Sequence, residues 1–519
     1  MRLFIGYKPG VGGVVKVMKN NGDDPLTTPN TDYSKFLFNS ETGKIGYIKD
    51  FDVEQFNWTY NDQYANFYLP SGTGPESCDK AYAAYGSLQH IYLFPRRKFG
   101  RSYPLVTETR LQVPLGARNA GPRVSWVPDD TAPNGAKVGR NVGYPTYEMK
   151  NTREIGIVDS PGYMDRITLA EAAEMRTGRN SASRKFTFIT YDLPADESPI
   201  PSGTPGPEWS RSVVIDPAMV KVAKGSASVD SGDPDDLIMD SDIVPLKIAK
   251  AGREVLAAGQ YVDVFPSGPA LTTETYVDYM VWPTGGVSAV PQHIPQLSLT
   301  DQNYNFEYEI HANKVRLVNN GDRSLTVTYV ITRDDGATTT GGGKVMETLP
   351  DGHVRIKRPG SSDTNPTDAD VLLDTRLAYM PIIADGYLDA SDFTEDEIDK
   401  SYGDRAKTIT FSNDGFIPFL KYYVKRRDRN GNFYAWTSPK TMVLRSELYD
   451  PEGYSGRQAS DGTVAVLTDN SVKFHMALDH PHRLRVSDTA GLYSPEPVNS
   501  NYDKPMGIRY FVFAIPTNL

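Results

Sequence analysis

Apolar and polar residues alternate over short stretches along most of this chain, the period of a strand that buries one face. In NYNFEYEI, Tyr304, Phe306, Tyr308 and Ile310 share a face, and in SLTVTYVITRDDG, Leu325, Val327, Tyr329 and Ile331 do so ahead of an Asp-Gly turn. SKFLFNS and KIGYIKDF, joined by Glu-Thr-Gly, predict a hairpin. Phe56, Trp58 and Tyr60 alternate with Asn57, Thr59 and Asn61, which makes one strand face wholly aromatic. SLQHIYLFP, ETRLQVPL, KFTFITYDL and the GIRYFVFAI segment that holds Tyr510 and Phe511 predict further strands. Helix signals are few. Thr168 and Glu171 have capping-box spacing and Gly178 supplies a stop, predicting a short helix near 168–177, and Thr394 with Glu397 predicts a further helical turn or two.

The breaks divide the chain. Arg118 to Tyr147 is rich in Pro, Gly and Asn and reads as a long loop. Five prolines between Pro194 and Pro207 make the clearest linker. In FIPFLKYYVKRRDRNGNFYAWTSPKTMVL, Asn430-Gly431 tolerates the positive φ of a tight turn between aromatic strands. With Tyr423, Asp428, Gly431, Asn432, Trp436 and Ser438, this text resembles the last hairpin of a fibronectin-type-III or immunoglobulin-like sandwich. The expected organisation is an N-terminal β domain over 1–193, a Pro-rich linker over 194–210 and a central β domain over 211–375. An immunoglobulin- or fibronectin-III-like sandwich over 376–450 follows, with a C-terminal β segment over 451–519 docked on the preceding domains or on a neighbour. The fold class expected is mostly β: several antiparallel sandwich or barrel-like domains, long loops and one or two short helices. A chain of 519 residues exceeds what one core serves. Heptads, a solenoid period and a collagen repeat are not evident, so any oligomer is expected to form through folded surfaces.

Composition adds little to the fold and more to the partners. Tyrosine is abundant, 31 against 20 Phe and 5 Trp, and joins an apolar ring to a hydroxyl, which suits contact surfaces. Net charge is −10 with acids and bases interspersed, so no nucleic-acid partner is expected. Apolar runs are all short, so neither membrane insertion nor a secretion signal is expected. Cys78, the only cysteine, excludes an intrachain disulfide.

Candidate chemistry is sparse. His475, Asp479, His480 and His482 crowd one stretch, but without Cys or HExxH nearby they read as a surface loop. Asp230, Asp233, Asp235, Asp236, Asp240 and Asp242 offer oxygen ligands without the EF-hand order and read as a solvated acidic loop. The Gly-rich run before Lys344 lacks the GxxxxGK[ST] phosphate-loop text. RRKFGR, with Arg96, Arg97, Lys98 and Arg101, reads as an interface patch facing an acidic neighbour. No catalytic, cofactor or metal site is expected. The expected interface residues are Phe56, Trp58, Tyr60, Arg96, Arg97, Tyr510 and Phe511, on the aromatic strand, the basic patch and the C-terminal strand.

The opening text PNTDYSKFLFNSETGKIGYI resembles openings common among tailed-bacteriophage minor virion proteins. The resemblance implies a structural component of the tail, neck/collar or fibre apparatus, made in the bacterial cytoplasm, located in the virion and acting by assembly rather than as an enzyme. Its partners would be other virion proteins and copies of itself. Alternative readings are a receptor- or carbohydrate-binding tail protein that stacks Tyr and Trp on host surface glycan, and a polysaccharide depolymerase.

Overall fold

The alternating segments fold as strands for the reason their period implies: Phe306, Tyr308 and Ile310, and likewise Leu325, Val327, Tyr329 and Ile331, all enter one core. The computed structural model describes residues 2–42, 48–55, 57–61, 64–68, 78–85, 88–95, 101–111, 115–116, 118–128, 137–141, 185–207, 210–242, 247–285, 289–290, 304–321, 323–333, 338–377, 379–395, 405–427, 433–437, 443–448, 454–459, 463–476, 483–486, 493–496 and 505–516. The fold is mostly β. Its strands form several small antiparallel sheets, and among the described residues no sheet closes into a barrel.

Three tandem copies of one module organise these sheets. The first opens with a three-stranded unit of β1 (Arg2–Lys8), β2 (Gly12–Met18) and β3 (Phe36–Asn39). It continues through β4 (Ile48–Gln55), a hairpin of β5 (Asn57–Asn61) and β6 (Tyr64–Tyr68), and another of β7 (Cys78–Tyr85) and β8 (Leu88–Pro95). Then come β9 (Leu105–Leu111), β10 (Arg118–Pro128), β11 (Lys137–Asn141) and β12 (Lys185–Pro194), with β12 seated between β4 and β9.

The second module repeats the plan with less inserted. Its hairpin unit is β13 (Val213–Ile215), β14 (Val220–Ala223) and β15 (Leu237–Asp240). Next come β16 (Lys247–Leu256), β17 (Tyr261–Val264), β18 (Tyr276–Pro283), β19 (Ala289–Val290), β20 (Tyr304–His311), β21 (Lys314–Asn319) and β22 (Leu325–Arg333). β22 lies between β16 and β18, and this sheet faces one that runs β20-β21-β17.

In the third module the hairpin unit is β23 (Met346–Thr348), β24 (Val354–Lys357) and β25 (Val371–Asp374). β26 (Ile382–Asp389), β27 (Thr394–Glu395), β28 (Arg405–Thr410), β29 (Ile417–Arg427) and β30 (Phe433–Thr437) follow. β31 (Val443–Leu448), β32 (Tyr454–Ala459), β33 (Thr463–Leu467), β34 (Ser471–Met476), β35 (Arg483–Val486), β36 (Tyr493–Glu496) and β37 (Pro505–Ile515) complete it. β37 lies between β26 and β29, and the facing sheet runs β33-β34-β28.

The equivalence of the modules extends to single residues. Each hairpin unit bulges once at the same place, between Val17 and Met18, Val222 and Ala223, and Ile356 and Lys357. A 3₁₀ turn precedes each third strand, at Tyr33–Lys35, Pro234–Asp236 and Asp368–Asp370. In the central sheets β4-β12-β9, β16-β22-β18 and β26-β37-β29 a second bulge skips Lys49, Ala249 and Ile383 at matching positions of β4, β16 and β26. Bulges are built-in features that set twist and direction, so three coincident pairs mark one architecture used three times.

Two cores join the modules. Val17, Val222 and Ile356, with Phe38, Met239 and Leu373, are equivalent residues that meet in a single apolar cluster. A larger cluster joins the three central sheets through the equivalent residues Ile189, Val330 and Phe511, and again through Val106, Tyr276 and Phe419. The modules also exchange strands in one direction. β10 of the first pairs with β20 of the second, and β19 of the second pairs with β33 of the third.

Several expectations are corrected. SKFLFNS and KIGYIKDF do not form a hairpin: β3 pairs with β2, while β4 joins β12 in another sheet. The Ser40 N–H donates to the Val15 carbonyl and the Val15 N–H to the Ser40 hydroxyl, and this pair of bonds ends the first sheet before β4 begins. The expected loop from Arg118 holds β10 and β11, and the Gly121-Pro122 pair that suggested a loop sits at a bulge, where Pro is tolerated in a strand. Thr394 begins no helical turn. The turn lies earlier, at Ala390–Asp392 capped by Asp389, and Thr394 enters β27. The Pro-rich segment is laid against the fold: the Thr204 N–H donates to Asp236 at 2.6 Å, Gly206 N–H donates to the Ser226 carbonyl, and Ile200 packs on the large core. The helix expected near 168–177 lies outside the described residues.

Candidate assembly surfaces

The GIRYFVFAI strand was expected to offer an edge to a neighbour. It is the center of its sheet: β37 pairs with β26 on one side and β29 on the other, so both edges are used within the chain. Phe511 is fully buried, and the buried Tyr510 ring covers Gly386, which lies directly across the pair. Tyr329 covers Gly252 in the same way in the second module. The sequence signal for a strand was right and the inference of an open edge was not, because pairing partners come from distant chain segments.

Phe56, Arg96 and Arg97 lie outside the described residues. Trp58 and Tyr60 sit on β5, opposite Phe67 and Ala65 of β6. The structure does not bring the C-terminal pair Tyr510 and Phe511 to a surface. Val424 and Thr437 pair in the β29–β30 hairpin that the fibronectin-like text predicted, but β37 rather than β30 adjoins β29 on its other side, so this is not the last hairpin of its sandwich.

The sequence clusters resolve into internal bonds. Of the acids, Asp230 takes a forked bond from Arg211 at 2.6 and 3.0 Å, Asp235 pairs with Arg101 and accepts from the Tyr103 hydroxyl, and Asp236 caps Thr204. Asp240 faces Lys221 at 3.8 Å. Arg101, from the basic patch, is buried between Asp192 and Asp235 and ties the central sheet of the first module to the second hairpin unit. Burial combined with the bond to Asp235 pushes the Tyr103 hydroxyl far above its ordinary range. The Gly-rich run does present amides to an anion, and the anion is the chain's own: Asp363 accepts from Gly343 and Lys344 at 3.0 Å and from the Lys357 ammonium at 2.9 Å. These bonds hold its carboxyl down at about 2. His475 is buried in β34, while Asp479, His480 and His482 lie outside the described residues.

Two features bear on assembly. The first is a junction where all three modules meet. Lys421 of the third forms a buried ion pair with Asp278 of the second, and its ammonium lies 4.8 Å from the Tyr191 ring centroid of the first. Lys421 and Asp278 are equivalent positions in β29 and β18, and Glu108 of β9 is their counterpart in the first module. Nearby, the Leu420 N–H donates to Met280 Sδ at 3.4 Å. The second is the outer strand of the first hairpin unit. β1 spans seven residues where β13 and β23 have three, and among the described residues it is paired on one side, with β2. Ile5 and Tyr7, two positions apart and so on one face, are 38% and 65% exposed. An apolar strand of this length at a sheet edge is a template for another chain.

The repeat was missed in the sequence, although a signal was there. Val-Lys-Val at 15–17 and 220–222 and Val-Arg-Ile at 354–356 each precede a matching text: FLFNS at 36–40, LIMDS at 237–241 and VLLDT at 371–375. Only the paired reading of both texts exposes the repeat, because each alone is a common strand pattern.

The chain matches no known protein family, no curated protein and no solved structure.

Proposed function

We propose that this chain is a structural component of a bacteriophage virion, in the tail, neck/collar or fibre apparatus, working through assembly with other virion proteins and copies of itself. The observation that carries the reading is the β1 edge, where Ile5 and Tyr7 stand exposed on a strand that outreaches its counterparts. Strand addition there would supply main-chain hydrogen bonds for affinity and side-chain pockets for selectivity. Internal ion pairs and shared cores favour the same reading, since they make a rigid body whose shape is set before association.

Purified particles test it. The chain is expected among the particle proteins, and Tyr7→Lys is expected to reduce its incorporation by about tenfold or more, the loss expected of a hot-spot tyrosine at the centre of an interface. Circular dichroism and sedimentation of the variant should match the parent protein. Absence of the parent chain from particles would remove the virion reading, and glycan-array binding by such a free protein would favour receptor binding instead.

A further inference from the structure

The three hairpin units are closed by the same clamp. The Val15, Val220 and Val354 N–H groups donate to the Ser40, Ser241 and Thr375 hydroxyls, and the N–H groups of those residues return to the valine carbonyls. The residue after each valine is a cation, Lys16, Lys221 or Arg355, and directly across the pair stands Asn39, Asp240 or Asp374. In the second and third units that facing acid takes the cation, Lys221 at 3.8 Å and Arg355 at 3.2 Å. Asn39 carries no charge, so the Lys16 ammonium of the first unit turns to other partners.

Those partners are an amide and a carboxylate. The Lys16 side chain is fully buried, and its Nζ donates to Asn30 Oδ1 at 3.1 Å and lies 3.3 Å from Oε1 of the buried Glu41. Asn30 belongs to a longer connection than its counterparts: 25 residues separate Val15 from Ser40, against 21 in each of the other units. Its amide is held at both ends. Oδ1 also accepts from Asn39 Nδ2 at 2.9 Å, Nδ2 donates to Glu41 Oε2, and Asn39 is itself fixed by accepting the Glu41 N–H at 3.1 Å. The Lys8 ammonium lies 2.8 Å from Glu41, and the Phe36 ring centroid lies 5.3 Å from Lys16 Nζ. Burial, opposed by Glu41 and aided by Lys8, holds the Lys16 ammonium below the ordinary lysine range, which favours the neutral, nucleophilic amine.

We propose that Lys16 and Asn30 join in an isopeptide bond, with Glu41 moving the protons and ammonia as the leaving group. Glu41 takes a proton from the Lys16 ammonium, and the freed lone pair attacks Asn30 Cγ. At 3.1 Å from Oδ1 the nitrogen is no more than about 4.3 Å from that carbon, since the carbonyl bond is about 1.2 Å long. Rotation of the lysine side chain brings it to the roughly 3–3.5 Å of a near-attack contact. The carbonyl electron pair moves onto Oδ1, where Asn39 Nδ2 donates. Glu41 passes its proton to Asn30 Nδ2 and takes one from Lys16 Nζ. The Cγ–Nδ2 bond then breaks as the carbonyl re-forms, and the departing ammonia takes the proton from Glu41. The products are a secondary amide between Lys16 and Asn30, one ammonium ion and the Glu41 carboxylate, so the step balances without a co-reactant. The bond ties β2 to the connection ahead of β3 in the unit that bears the β1 edge, and it stands or falls independently of the virion reading.

Intact-mass spectrometry of the full-length chain, followed by proteolysis and fragment sequencing, tests this. The expected result is a mass below that of the sequence by one ammonia, with a branched peptide in which Lys16 is joined to Asn30. Lys16→Arg and Glu41→Gln are each expected to show the full sequence mass, the second while keeping both reacting groups. Linear peptides carrying unmodified Lys16 and Asn30 in the parent chain would overturn the proposal and leave a buried ion pair, a result that does not depend on the folding of any variant. A deficit that persists in Lys16→Arg would overturn it too, because an asparagine that cyclises on its own backbone also loses ammonia. The same branched peptide at parental yield in Glu41→Gln would overturn the part assigned to Glu41.

Discussion

The closing hydroxyl of each hairpin unit offers the sharpest test of the repeated module. Ser40, Ser241 and Thr375 are 0%, 6% and 3% exposed, and each accepts the N–H of its valine at 2.9, 3.1 and 2.9 Å. Ser40→Ala, Ser241→Ala and Thr375→Val remove the acceptor with little change of shape and take this bond from an N–H that is buried at Val15 and Val220 and half-buried at Val354. Such an orphaned donor costs about 1–3 kcal/mol. If the cost is local, the affected amide exchanges roughly 5- to 150-fold faster, the factor that this free energy spans. Hydrogen-exchange mass spectrometry on the full-length chain reads Val15, Val220 and Val354 separately, and the outcome expected is a similar acceleration in each variant, confined to its own unit. A change under about twofold at any one of the three would refute the claim that the units are held by the same clamp.

Two further perturbations probe the junction and the Gly-rich loop. Lys421→Met leaves the Asp278 carboxylate buried without its cation and is expected to destabilise the chain by about 3–5 kcal/mol, whereas Lys421→Met with Asp278→Leu should recover most of that loss. Urea unfolding followed by tyrosine fluorescence measures both, and an unchanged midpoint for the single variant would count against the junction. Asp363, with its carboxyl held down at about 2 in the folded chain against roughly 4 when unfolded, stabilises the loop fully above pH 4 and loses its hold as pH falls through 2. Exchange of the Gly343 and Lys344 amides, corrected for intrinsic rate, should therefore rise over that window in the parent protein. It should already be raised at neutral pH in Asp363→Ala, and a flat profile in both would show that the carboxylate does not order the loop.

Period-two alternation determined which segments became strands, because it fixes the face a side chain takes whatever the partner. Leu325, Val327, Tyr329 and Ile331 were legible in this way, and so was the mostly β class. Partner choice was not legible. FLFNS and KIGYI are neighbours in sequence and belong to different sheets, and GIRYFVFAI finds β26 and β29 far back along the chain. Strand pairing is a long-range backbone interaction that imposes few side-chain requirements, so local text does not name the partner.

Charged residues were equally ambiguous in one dimension. Asp235 and Arg101 lie in separate modules, and only folding turns an acidic cluster and a basic patch into one buried ion pair. The threefold repeat was written in the sequence, in three paired texts, yet unequal insertions removed any fixed period, and bulges and hydrogen bonds at matching places revealed it. The sequence by itself determined strands and faces, since those follow from alternation. The tertiary structure decided pairing, burial of the C-terminal strand and the meeting of the three modules in shared cores, since those depend on which distant residues pack together.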